Sequence, residues 1–202
     1  TRSIAVTGVQ TCALPISVLT SVRKKQNGDS FADRNAYVGF DLAYLIVFMV
    51  NSFVRPSDIK NLQHQHVTII RGEYTYLRLN LPESKKHDKP IVTMIPAVRA
   101  YERLSKINAL RGYTKPTDYV FHPEQKDRRK LLEYLGYQFK FIQEVAGIGV
   151  NTANGKDRTL YSLRHTAITF RLLYGGNIDL LTLARNARTE RPRVSRRLVG
   201  LS

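Results

Sequence analysis

The sequence predicts a mainly α-helical domain that carries one small three-stranded antiparallel sheet, an α+β fold. Three observations point there. Apolar residues recur at helical spacing in several long stretches, and only one segment alternates cleanly as a strand. Turn residues divide the chain at intervals that suit helices of ten to eighteen residues. The hydrophobic fraction, 43% of 202 residues, is enough for one ordinary core.

The elements follow in order. Residues 36–53 form a strongly apolar helix, central to the core. Its most apolar run, Leu42 to Val50, lies between Asp41 and Asn51 and is too short to span a bilayer. Val54-Arg55-Pro56 ends it, because Pro disfavours helical geometry in the residue before it and suits the first position of a new helix. PSDIKNL therefore starts a second helix with Asp58 in its first turn, and Arg55 sits at the bend. Three strand-like runs come next, at 66–70, 74–81 and 90–95. In the middle run Thr75, Leu77, Leu79 and Leu81 share one face; Tyr74, Tyr76, Arg78 and Asn80 share the other. Arg71-Gly72-Glu73 makes the first turn, and PESKKHDK the second, a basic hairpin tip.

The remainder reads as helical. Residues 97–110 align Val98, Tyr101 and Leu104, with Gly112 as the stop. Residues 128–145 turn Leu131, Leu132, Leu135, Phe139, Ile142 and Val145 inward. A helix over 160–174 closes at Gly175-Gly176, and a last one covers 178–187.

Charge is the outlier of the composition. Lys and Arg total 32 against 16 Asp and Glu, a net +16, which favours a polyanionic partner, nucleic acid being the commonest. A merely basic or ribosome-like surface is the plainer alternative. Both ends differ in character from the middle. Residues 1–17 follow neither helical nor strand period and lack the architecture of a signal peptide. Residues 190–202 are Arg-rich without amphipathic period, either a basic DNA-binding tail or a scar. Setting both aside leaves +12 on residues 18–189, so the charge argument survives. The single Cys12 excludes an internal disulfide framework and a Cys-based zinc site, and fits a reducing compartment.

Acidic residues are sparse, with no D-x-D grouping of the kind that holds paired divalent ions, and there is no phosphate-binding glycine loop. Phosphate chemistry on this chain would draw its electrostatics from cations. Three places offer them. Arg55 stands beside a helix N-terminus, Lys85 and Lys86 on the hairpin tip, and Arg164 near the start of the 160–174 helix, with Tyr161 three residues earlier on the same face.

With those residues in view, 18–189 resembles the catalytic domain of the tyrosine recombinases, also called phage integrases. SFVRPSDIKNL resembles the first Arg box, the basic hairpin the lysine-bearing hairpin, and LYSLRHT with its Gly-terminated helix the H-x-x-R box. The resemblance implies site-specific cutting and rejoining of DNA through a 3′-phosphotyrosyl intermediate, without metal or other cofactor. Arg55 and Arg164 would clamp the non-bridging oxygens of the scissile phosphate. Lys85 would protonate the leaving 5′ oxygen; it is preferred to Lys86 because the family's lysine follows directly from the second strand. Asp58 fits the acidic position after the first Arg, where it orients the site or caps the helix.

Two departures stand out. Tyr161 replaces the usual His, and His165 is expected to be a buried structural residue rather than a catalyst. The family's third His or Trp and its nucleophilic Tyr should lie in and after LARNART, where this sequence offers Asn186 and Arg188; no Tyr follows Tyr174. The expectation is therefore a fragment without its nucleophile: 1–17 adaptor-like (VTGVQTCALPIS resembles translated sequencing adaptor) or a disordered arm, 18–189 an incomplete catalytic domain, 190–202 an aberrant tail. Partners implied are double-stranded DNA and, for the complete protein, a tetramer of like chains on DNA, in the cytoplasm and not at a membrane. The alternative is a catalytically inactive DNA-binding remnant; a topoisomerase-like relaxing enzyme would share the chemistry.

Overall fold

The computed structural model describes residues 40–82, 90–150, 155–175 and 178–189. These residues form a mixed α+β fold of six helices and one sheet. In chain order they are α1 (Phe40–Val50), α2 (Pro56–Ile59), β1 (Val67–Ile70), β2 (Tyr76–Leu79), β3 (Ile91–Val92), α3 (Ile95–Leu110), α4 (Arg128–Val145), α5 (Leu160–Tyr174) and α6 (Leu180–Asn186). The expected terminal segments 1–17 and 190–202 lie outside the described residues.

Helix α1 is apolar on nearly every side and sits at the centre, packed against α3, α4 and α5. Leu42, Leu45, Ile46, Phe48 and Met49 are sealed from solvent, and Phe48 meets Phe121 edge-to-face at 5.3 Å. Each such side chain contributes about 1.5–3 kcal/mol through burial. At its start, Asp41 takes a forked ion pair from Arg111 at 3.1–3.2 Å, tying α1 to the end of α3. The helix ends at Val50, earlier than the expected 53. Asn51 Nδ2 donates to the Val47 carbonyl (2.8 Å), and Phe53 adopts φ +58 with its ring buried. Core packing of Phe53 outweighs the cost of the left-handed conformation. The second expected helix, PSDIKNL, shrinks to the single turn of α2.

The sheet is antiparallel in the order β1-β2-β3, with Val67 opposite Leu79, and Leu79 opposite Ile91. Leu77, Leu79 and Leu81 point into the core as their alternation predicts, while Arg78 and Asn80 face solvent. The third strand is far shorter than 90–95. Thr93 still pairs with Leu77, through backbone and through its hydroxyl, but Met94 N donates to Asn51 O and caps α3.

Helix α3 ends in a Schellman turn: Tyr113 N bonds Asn108 O, Gly112 N bonds Ala109 O, and Gly112 takes φ +88. Helix α4 starts where Asp127 accepts from Arg129 N and Lys130 N. Those two N–H groups hold the Asp127 carboxyl below its usual pKa. Leu131, Leu135, Phe139 and Ile142 are buried on α4 as expected, but Val145 is exposed and Leu132 half-buried; Gln138 and Gln143 take inward places instead. Helix α5 covers its predicted span. Gly175, which closes it, has no room for a side chain, since a Cβ there would lie 2.3 Å from Arg171 O and 2.4 Å from Ile178 Cδ1.

Before β1, residues His64–His66 make a 3₁₀ turn. His64 Nδ1 lies 3.0 Å from the Tyr101 hydroxyl. Burial pulls the His64 pKa below its ordinary value, outweighing the pull of Asp118, and burial lowers His66 as well. The unfolded chain therefore binds these protons more readily than the folded one. Stability should be fully present above the unfolded His pKa, about 6.5, and lost as pH falls from there toward the folded values. Urea midpoints at pH 7.5 and 5.5 test this: the acid loss should shrink in His64→Gln, and an equal loss in both proteins would acquit His64.

Candidate functional site

The bend between α1 and α2 is built for one side chain. Phe53 turns its carbonyl inward at φ +58, and Arg55 follows in extended geometry (φ −86, ψ 154) as the residue that opens α2. Asp58 Oδ2 accepts the Arg55 N–H at 2.9 Å, so Asp58 serves as the cap of this bend. With its backbone held, the Arg55 side chain donates through Nη2 to the carbonyl of Arg188, 2.7 Å away at the end of α6.

Arg164 reaches the same place from the first turn and a half of α5. Its Nη1 donates to Phe53 O and its Nη2 to Ala187 O. One guanidinium thus joins the α1–α2 bend to the end of α6. It is only 1% exposed. Burial first, and the neighbouring Arg55 charge second, pull the Arg164 pKa below the usual arginine value; Tyr161 and Asp58 act in the opposite sense. An arginine remains cationic at neutral pH despite such a shift. Two guanidiniums therefore stand side by side, and their repulsion is offset by carbonyls at the negative end of a helix.

The end of α6 is shaped for this. Arg188 N bonds Arg185 O and Thr189 N bonds Ala184 O, a Schellman turn in which Arg188 occupies the left-handed position at φ +50. Glycine is the usual residue there. Arg188 is 3% exposed, and its carbonyl is the acceptor for Arg55. Behind the turn, the Asn186 amide pairs with the backbone of Val92 in both directions: Val92 N donates to Oδ1 (2.8 Å) and Nδ2 donates to Val92 O (2.9 Å). Asn186 thereby fills the open edge of β3.

Tyr161 lies one turn before Arg164 and acts to hold the Arg164 pKa up against burial. Tyr161 is 44% exposed, and its ring meets that of His165 edge-on with centroids 5.0 Å apart. His165 is exposed, which corrects the expectation of a buried structural His: position 165 falls on the solvent side of α5, opposite the buried Leu163, Arg164 and Ala167 stripe. A cavity of about 500 Å³ opens beside Tyr161 between α4 and the start of α5, with Pro56, Leu132, Phe139 and Leu160 in its walls. Most of the wall is apolar, with the charged Lys140, Glu144, Asp157 and Arg158 also lining it.

The fold therefore brings Arg55, Asp58, Tyr161, Arg164 and Arg188 into one neighbourhood. Lys85 and Lys86 lie outside the described residues. Sequence reasoning passed over the carbonyls of Phe53 and Ala187, and met Asn186 only in the region of the family's third His or Trp, without its partner on β3. A non-glycine at a helix stop, as at Arg188, is the one local signal that could have marked the turn. Among the described residues no group of three or more His, Cys, Asp or Glu could hold a metal ion. Nor is any described helix long and apolar enough to cross a membrane. No protein-family model matches the chain, and no curated protein matches it.

Proposed function

We propose that the chain carries the phosphate clamp of an integrase-type enzyme that cuts and rejoins DNA strands. The observation that carries the reading is the pairing of Arg55 and Arg164, from separate helices, on one helix end. Planar, permanently charged forks held by backbone acceptors cost little to reorganise when charge builds up on a phosphate. In this reading a tyrosine oxygen attacks the scissile phosphorus, the bond to the 5′ oxygen breaks, and Lys85 supplies the proton that the departing oxygen takes. The reverse step rejoins the strand. Arg55 and Arg164 neutralise the non-bridging oxygens, and Tyr161 orients Arg164. The net charge of +16 supports a DNA partner. The reading requires a tyrosine nucleophile, which residues 175–202 do not contain.

One observation favours a second reading, an inactive DNA-binding module. Arg164 is 1% exposed, with both terminal nitrogens on carbonyls, as befits a structural tie. The two readings part in a single assay. The intact gene product is incubated with nicked duplexes drawn from the DNA flanking its own gene, and covalent protein–DNA adducts are resolved on denaturing gels. Arg55→Ala is expected to reduce adduct yield about 100-fold, the usual loss for a removed oxyanion donor. Duplex affinity should change little, since the other cations remain. Undiminished adducts in Arg55→Ala would rule out the clamp. Binding without any adduct in the unaltered protein would select the inactive module.

A further inference from the structure

Helix α6 is seven residues long, and a helix of that length has no stability of its own in water. Its described anchorage is thin. Leu183 is its one buried residue, Ala187 and Arg188 are buried just beyond its end, and most other positions face solvent. Yet Ala187 O and Arg188 O are the acceptors that orient Arg164 and Arg55. Something must fix where those carbonyls stand. The residue immediately before them, Asn186, makes the reciprocal pair with Val92. Two hydrogen bonds from one planar amide to one backbone residue define both position and orientation, as an added strand would.

We propose that Asn186 is the positioning residue of the cation pair: by locking α6 to β3 it sets the carbonyls that aim both guanidiniums at an anion. It touches no phosphate itself. The inference rests on the reading of Arg55 and Arg164 as a phosphate clamp, and it adds that β3 and the clamp move as one body. Asn186 is half-buried and Val92 exposed, so loss of the pair should barely disturb the core.

The test titrates the full chain with inorganic sulfate and follows the Nε–Hε NMR resonances of Arg55 and Arg164. Asn186→Ala is expected to weaken the sulfate response at both arginines by about fivefold, as suits two lost hydrogen bonds that act on orientation. Thr182→Ala is the control, because it removes the Thr182 hydroxyl bond to Asp179 at the other end of α6 and leaves the lock intact. Its sulfate response should match the unaltered protein, and both variants should keep similar melting temperatures. Equal weakening in the two variants would reduce Asn186 to a general support of α6 and overturn the proposal. A normal response in Asn186→Ala would overturn it while leaving the clamp standing. Absence of any response in the unaltered protein would sink the clamp and the positioning role together.

Discussion

Replacing Arg164 by Ala should lower the folding free energy by about 3 kcal/mol, measured as a shift in urea unfolding. Two buried carbonyls, Phe53 O and Ala187 O, would lose their donor, and each orphaned acceptor costs about 1–3 kcal/mol. The stem of the side chain also leaves a void beneath the α1–α2 bend. Against these stands a gain: a buried guanidinium is no longer desolvated, nor held beside Arg55. The losses are larger, because Phe53 O belongs to a bend that the core holds in place and Ala187 O follows directly on the Asn186–Val92 pair. Arg164→Lys should recover only part of the stability and remain about 2 kcal/mol short, since one ammonium cannot span two carbonyls placed for a fork. A loss below about 1 kcal/mol in Arg164→Ala would mean that water satisfies both carbonyls and that the residue is no structural tie. In the proposed clamp reading, covalent adduct formation should fall with it, as Arg164 is half of that clamp.

Arg128→Ala should destabilise the fold by a comparable amount, about 2–3 kcal/mol, and without any effect on the clamp. Arg128 opens α4, where a cation opposes the helix dipole. Local rules would place an acid there. The reason for an arginine is tertiary: Nε donates to Lys60 O (2.7 Å), Nη1 to His122 O (2.8 Å) and Gln125 O (3.1 Å), and Nη2 to Phe121 O (2.9 Å). The guanidinium also lies 4.0 Å from the centre of the Tyr119 ring. Burial pulls its pKa below the ordinary arginine value, with Tyr119 and Glu124 opposing. His122 contributes its carbonyl from a left-handed conformation, φ +47. The loss is kept below a sum of four bonds because the site is only half-buried and water can reach some of the carbonyls. Arg128→Gln, neutral and shorter, should behave almost as Ala does. Unchanged unfolding in Arg128→Ala would show that the loop around Val120 holds itself together.

Several elements could be read from the sequence because their signals are local. Helices α4 and α5 match their expected spans, since Asp127 caps one and Gly175 closes the other. Gly112 stops α3 for the same kind of reason. Where the reading fell short, a distant contact overrode a local preference. Helix α1 ends three residues early because Phe53 is held in the core. Strand β3 keeps two residues because Met94 bonds Asn51. The exposed Val145 and His165 reflect which sides of α4 and α5 found neighbours.

By itself the sequence determined the α+β class, the order of the elements, the inward face of β2, and which cations stand at a bend or a helix start. Tertiary structure alone decided that Arg55 and Arg164 end on the same turn, that Phe53, Ala187 and Arg188 supply the acceptors, and that Asn186 closes the edge of β3. Periodicity and capping act over a few residues, whereas these bonds join residues as far apart as Val92 and Asn186, or Arg55 and Arg188. A local pattern states what a side chain can donate or accept, and only the packed chain determines which group stands opposite it.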